Sequence, residues 1–237
     1  MNKSAIMQPT FFPWTGYFDL MEEVDIFVFL DDVQFDYRSW QHKNKIKDLS
    51  NKDLTLTVPV LNGQKKQKLN EVLIFKESNF IKKHLKSIFF NYKKTIYFEV
   101  IFSELKKIFE KNHTHLINLN YDLINYVCNY LNIKKKIIKS SSLKTSKKKD
   151  ELILEILNKI GSKKYYSAAG SLNYLKSNMN FKKEGIDLFF QDFTCKEYKQ
   201  LSGNFISHLS VLDLIMNEGP NSKNIILKGK KYKKYDY

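Results

Sequence analysis

Residues 7 to 44, MQPTFFPWTGYFDLMEEVDIFVFLDDVQFDYRSWQHKN, concentrate the side chains best suited to chemistry. They include both tryptophans of the chain and its only arginine, close to an Asp-Asp pair. A guanidinium is a planar five-donor fork that binds a carboxylate or phosphate through two bonds, which an ammonium cannot do. Arg38 therefore reads either as a contact to an anionic ligand or as a brace on Asp31 or Asp32. Those two acids can orient a sugar hydroxyl, take a proton from an attacking amine, or hold a divalent metal with Gln34 as a weaker ligand. They can equally cap a loop. Adjacent acids alone are not a specific metal motif, so the cofactor stays unknown. Trp14 and Trp40 stand beside turn-forming residues, where an aromatic face can stack on a sugar or a base or close the core. Gln8, Tyr17 and Asn44 complete a substrate-binding set.

Histidines and serines supply the other candidates. His84, in KKHLK on a helical stretch, has an imidazole with an unperturbed pKa of about 6.5 and can act as a general base or pack structurally. His208 precedes LSVLDL and either lines a pocket or caps a helix. Ser142 and Ser167 follow strand-like segments and can hold phosphate, although no Walker or GxGxxG pattern accompanies them. After the first strand the chain reads Trp14-Thr15-Gly16-Tyr17 where the nucleotidyltransferase and class I synthetase family carries His-x-Gly-His, so adenylate chemistry of that type is disfavoured. Gly16 either admits a ligand to the backbone or seats the helix on a sheet.

The elements that must position these groups follow from periodicity. Residues 4 to 8 form a short strand ended by Pro9, which lacks a ladder donor. Residues 16 to 24 carry a helical apolar face, and 26 to 30 form a continuous apolar strand. Strand, loop, helix, strand is a βαβ unit, which makes the two strands parallel. Ligands in such sheets bind beyond the carboxyl ends of the strands, here the loop from Gln8 to Trp14 and the segment from Asp31 to Gln34. Leu54 to Val60 and Leu69 to Phe75 are expected to form a hairpin through Asn62-Gly63. Helices are expected over 79–92, 97–111, 116–131, 150–160 (capped by Asp150) and 211–217, with short strands at 137–140, from 165 and at 186–190. The predicted fold is α/β, an N-terminal βαβ-containing and mostly parallel sheet with a helix-rich C-terminal half. One domain is expected over 1–237, with an α/β and hairpin portion (1–78), a helix-rich portion (79–228) and a basic tail (229–237).

The segments QPTFFPWTGYF, DIFVFLDDVQFDYRSWQHKNKI and LTVPV resemble the WbqC-like family, found in bacterial O-antigen and other surface-polysaccharide gene clusters. The likeness continues through KKHLKSIFFNYKKTIYF, SSSLK, KYYSAAGSLNYL, GIDLFFQDF and LSVLDLIMNEG. His42 departs from the family's Asn-basic-Asn pattern. The resemblance implies a part in surface-glycan assembly.

Composition bounds the rest. The 237 residues are 43 % apolar, enough for a real core, and Cys128 and Cys195 show no metal or disulfide spacing. No signal-peptide pattern or transmembrane segment is visible, and a cytoplasmic location is expected. The net charge of +15 favours anionic partners without naming one. The leading expectation is a transferase that adds an acyl or aminoacyl group to a nucleotide-linked or lipid-linked amino sugar. Its partners are then a nucleotide sugar or glycan intermediate and an acyl or aminoacyl donor. A non-catalytic nucleotide-sugar or carbohydrate-binding protein is the alternative, as is an RNA-binding protein using the lysine tail.

Overall fold

The structure is a computed structural model that describes residues 2–61, 67–171, 175 and 179–237. The expected Asn62-Gly63 turn lies outside the described residues. The first strand, β1 (Lys3–Met7), leads through α1 (Thr15–Glu23) to β2 (Ile26–Phe29), and the two strands are parallel with Ile6 opposite Val28. The expected βαβ unit is therefore present. Later come β5 (Lys136–Lys139), β6 (Lys164–Ser167), β7 (Asp187–Gln191) and β8 (Tyr232–Lys234), giving a six-stranded sheet in the order β5-β2-β1-β6-β7-β8. All neighbours are parallel except β8, which runs antiparallel to β7.

Alternation along the central strands divides the core. Ala5, Phe27 and Phe29 pack on the face that carries α1 and α4 (Leu116–Tyr130). Ile6, Ile26 and Val28 pack on the opposite face with α5 (Lys149–Lys159) and α6 (Asn180–Lys183). Successive residues of a strand point to opposite sides, so apolar runs such as IFVF cover both faces. Because α1 leads to β2 on one side of β1 while α5 leads to β6 on the other, the winding reverses between β1 and β6. Such reversals open a crevice at the carboxyl ends of the two strands.

A long insertion between β2 and β5 builds one wall of that crevice. It holds the antiparallel pair β3 (Lys43–Lys47) and β4 (Asp53–Thr57), then α2 (Phe80–Tyr92), α3 (Phe98–Glu110) and α4. The expected hairpin of 54–60 with 69–75 is corrected here. β4 pairs with β3, and only the Val60–Ile74 bridge joins the two expected arms. The reason is local: Asp48 Oδ1 accepts from the backbone N–H groups of Ser50 and Lys52, each at 2.9 Å, and closes a tight turn between β3 and β4. Asp150 is likewise in the first turn of α5 rather than at its cap, which is Lys148.

Near the C-terminus, α7 (Val211–Glu218) and α8 (Ser222–Lys228) pack on the α1 face. The expected basic tail contains the edge strand β8. Lys231 and Lys233 pair with Asp192 at 3.3 and 2.9 Å, Lys234 pairs with Asp187 at 2.9 Å, and the Tyr237 hydroxyl donates to Ile186 O at 2.8 Å. These lysines pair with acids on and beside β7. No helix among the described residues is long and apolar enough to cross a membrane.

Candidate functional site

The loop from Gln8 to Trp14, leaving β1, has its polar backbone groups taken up by named partners. Asn120 Nδ2 donates to Pro9 O at 3.0 Å and to Gln41 O at 2.8 Å. Asn44 Nδ2 donates to Phe11 O and Phe12 O at 3.2 and 2.7 Å. Phe11 N donates to Trp40 O, and Val211 N donates to Pro13 O. Phe12 is held at φ +42°, a left-handed conformation that a bulky residue adopts only when its surroundings impose it. The two buried amides, from α4 and β3, impose it.

This loop shapes a cleft of about 270 Å³ lined by Met7, Thr10, Trp14, Tyr17, Trp40, Asn44 and His208. Both tryptophans thus share one cavity although they stand 26 positions apart in sequence. The Trp14 indole stacks on the His208 ring with centroids 5.3 Å apart and meets Phe193 edge-on at 5.4 Å. His208 itself is at φ +58° and its Nδ1 lies 2.9 Å from Ser207 Oγ. Tyr17 is 2 % exposed and its hydroxyl has no hydrogen-bond partner. Burial raises its pKa well above the ordinary phenol value, so at neutral pH it is an unpaired O–H donor within the core, near Cys128 and Tyr121 of α4. Unsatisfied buried donors are rare, because each forfeits the hydrogen bonds it made to water.

Gly16 opens neither the backbone to ligand nor the helix to the sheet. A Cβ there would lie 2.3 to 2.8 Å from three atoms of the Trp14 indole, so the missing side chain makes room for the tryptophan.

Several predicted residues gather at the cleft and others do not. Trp14, Tyr17, Trp40, Asn44 and His208 line it. Gln8 is adjacent, its Oε1 accepting from Gln41 Nε2 at 2.8 Å. Arg38 is exposed on the loop carrying Trp40, and among the described residues its guanidinium makes no ion pair, so it does not brace Asp31 or Asp32. Gln34 is exposed and bridges to Lys68.

The aspartates are turned the other way. Asp31 is 3 % exposed and accepts from Tyr121 Oη at 2.9 Å, Ser140 Oγ at 3.0 Å, Ser141 N at 2.9 Å and Ser141 Oγ at 2.7 Å. Asp32 takes a second contact from Ser140 Oγ. Both acids therefore tie the end of β2 to the Ser140–Ser141 turn after β5, toward the sheet edge and away from the β1–β6 reversal. Their lone pairs are spent on hydroxyl and amide donors, which does not fit a metal site. Among the described residues no group of three or more His, Cys, Asp or Glu side chains converges. Ser142 is exposed beside this turn and donates to Lys139 O at 2.7 Å. Ser167 is at the carboxyl end of β6, next to the reversal, but its hydroxyl is buried against Tyr165 Oη and Ser171 Oγ.

His84 is also elsewhere. It is 5 % exposed, ringed by Phe11, Phe80 and Phe109, with Nε2 3.1 Å from Thr57 O. The carbonyl accepts, so Nε2 carries the proton, and burial lowers the pKa to about 4. In the unfolded chain the imidazole titrates near 6.5. The unfolded state thus binds the extra proton first, and stability present above pH ~6.5 is lost as pH falls toward 4. Urea unfolding of wild type from pH 7 to pH 4.5 is expected to show a decline of about 2 to 3 kcal/mol from this group. His84→Leu should flatten that component, and an equally steep decline in the variant would refute the assignment.

The residues missed by sequence reasoning are Met7, Thr10, Gln41 and Asn120. Asn120 carried a signal: it occupies a position in phase with Leu116, Leu123 and Val127, the buried face of α4. An amide at such a position requires internal partners.

The sequence model of the WbqC-like protein family matches residues 8–225. The chain belongs to that family. A relative of this WbqC-like chain, the uncharacterized protein Rv1507c of Mycobacterium tuberculosis, is 33 % identical over 229 residues, covering 95 % of this chain and 98 % of that one. No solved structure matches this WbqC-like chain. The family match contains every residue of the cleft except Met7, which immediately precedes it.

Proposed function

We propose that this WbqC-like protein is a transferase of surface-glycan biosynthesis that adds an acyl or aminoacyl group to a nucleotide-linked or lipid-linked amino sugar. The observation that carries the reading is the Trp14–Trp40–Tyr17–His208 cleft at the carboxyl end of the central strand. Its aromatic walls suit a sugar or base, while Thr10 offers a polar group of the kind that orients hydroxyls. α1 begins at Thr15 with Trp14 as its N-cap and no acidic residue in its first turn, so the start of the helix sets no negative charge against a phosphate. Arg38, free of protein carboxylates, adds a fork for the same group.

In the proposed reaction the sugar amine attacks the acyl carbon of the donor. The new C–N bond forms as the bond to the donor's leaving group breaks, and the amine proton passes to the free imidazole nitrogen of His208. His208 replaces His84 as the base, because His84 is sealed behind three phenylalanines.

Both tryptophans line the cleft, so intrinsic fluorescence reports its occupancy directly. Titration with a panel of nucleoside-diphosphate amino sugars is expected to quench emission saturably. Mass spectrometry of the same mixtures with acyl and aminoacyl donors should show the mass of the added group. Saturable quenching without turnover would favour the binding-protein alternative, and no quenching by any member would remove the cleft from consideration. Arg38→Lys should weaken binding of a phosphate-bearing ligand by about 1.5 to 3 kcal/mol, roughly tenfold or more, without altering the melting temperature. Equal affinities at matched folded fraction would remove Arg38 from the site.

A further inference from the structure

The corner between α2 and α3 exposes apolar side chains in a setting unlike the rest of the surface. Ile96 is 90 % exposed, Val100 69 %, Phe90 50 % and Phe89 39 %. Ile96 lies in the turn that precedes α3 and Val100 in the first turn of that helix. Isolated exposed apolar residues are ordinary, but this is a contiguous group on one corner.

Its surroundings are predominantly basic, with Glu99 beside Val100 as the one acid in residues 80 to 100. Residues 80 to 98 contain five lysines and no acid. None of the five takes part in an ion pair among the described residues, whereas lysines of the C-terminal strand are largely paired. Lys93 Nζ lies 5.3 and 5.6 Å from the Phe89 and Phe90 ring centroids, and Lys86 Nζ lies 5.8 Å from the latter. The lysine stems cover the ring flanks while their ammonium groups stay in water.

The corner is also rigid. Tyr92 and Phe98, which flank the tip, are 1 % and 2 % exposed. The Tyr92 hydroxyl donates to the buried Asp213 on α7 at 2.6 Å, and the Thr95 hydroxyl donates to Tyr92 O at 2.9 Å. The apolar groups are thus presented outward from a fixed base.

We propose that this corner docks on an anionic lipid bilayer. Apolar side chains that enter the acyl boundary, ringed by unpaired lysines at headgroup level, are what adsorption to acidic lipid requires. A protein surface would have to match the apolar group and supply several acids at once, whereas a bilayer of acidic lipid offers both without specific shape. The inference does not depend on the reaction proposed above, since none of these residues lines the cleft.

The test is co-sedimentation of the full chain with vesicles of phosphatidylcholine alone and of phosphatidylcholine with about one-third phosphatidylglycerol. Partitioning onto the anionic vesicles is expected to be at least about tenfold higher and to fall with added salt. Ile96→Ser combined with Val100→Ser should reduce it about tenfold, and Lys93→Gln combined with Lys94→Gln about twentyfold. Lys147→Gln combined with Lys148→Gln removes the same charge from an exposed stretch elsewhere and should have little effect. All of these side chains are exposed or partly so, and unchanged melting temperatures confirm folding. Equal loss from the two lysine pairs, absence of binding, or a self-associating species broken by the Ile96 and Val100 substitutions would each overturn the proposal.

Discussion

Asp31→Ala is expected to lower the unfolding free energy by about 3 to 5 kcal/mol, enough to shift the melting temperature downward by roughly 10 °C in a chain of this size. The carboxylate is buried and gathers donors from two elements: the Tyr121 hydroxyl on α4, and the hydroxyls and backbone amide of Ser140 and Ser141 after β5. Removing it leaves the Tyr121 hydroxyl and the Ser141 amide without their acceptor and opens a gap at a buried position, which costs more than the bonds themselves contribute. Asp31→Asn should recover only part of the loss, because its Nδ2 faces donors where the carboxylate offered lone pairs. Guanidinium denaturation read by circular dichroism measures both variants, and tryptophan quenching by a cleft ligand reports the distant site. Unchanged stability with abolished turnover would return Asp31 to a catalytic role.

Gly16→Ala is expected to remove cleft binding almost as completely as Trp14→Ala. The added methyl would meet Cζ2, Cη2 and Cε2 of the indole at 2.3, 2.4 and 2.8 Å, so the ring must leave its place against His208 and Phe193. Displacement costs about 1 to 3 kcal/mol in stability, as overpacking does elsewhere. Stacking on one aromatic face contributes about 1 to 3 kcal/mol to ligand affinity, so a roughly ten- to hundredfold loss is expected in both variants. Calorimetric titration at matched folded fraction measures this. In Gly16→Ala the Trp14 emission should also shift toward that of a solvated indole. Wild-type affinity with an unshifted spectrum would show that the ring accommodates the methyl, and the argument from Gly16 would fail.

Much of the architecture was open to reading because it rests on short-range patterns. Continuous apolar runs such as Ile26 to Phe29 identify strands covered on both faces, the spacing in residues 116 to 130 identifies a helix, and Pro9 ends β1 for reasons internal to one residue. The βαβ handedness and parallel pairing follow from chain chirality. The same reasoning brought out Trp14, Trp40, Tyr17, Asn44 and His208, since aromatics and amides beside turns have few purely local uses. What the pattern lacks is any record of the side of β1 on which later strands add. Only the tertiary structure puts β6 next to β1 and β5 beyond β2. That order locates the crevice at the β1–β6 reversal and strands Asp31 and Asp32 at the β2–β5 edge, where serines 109 positions away satisfy them. His84 was misplaced for a related reason. A histidine on a helix shows its phase but not the three aromatic rings from α2, α3 and the loop after β1 that enclose it. Residue type and spacing determined which groups can do chemistry. Long-range packing decided which of them face the same water, because contacts across more than a hundred residues leave no period in the chain.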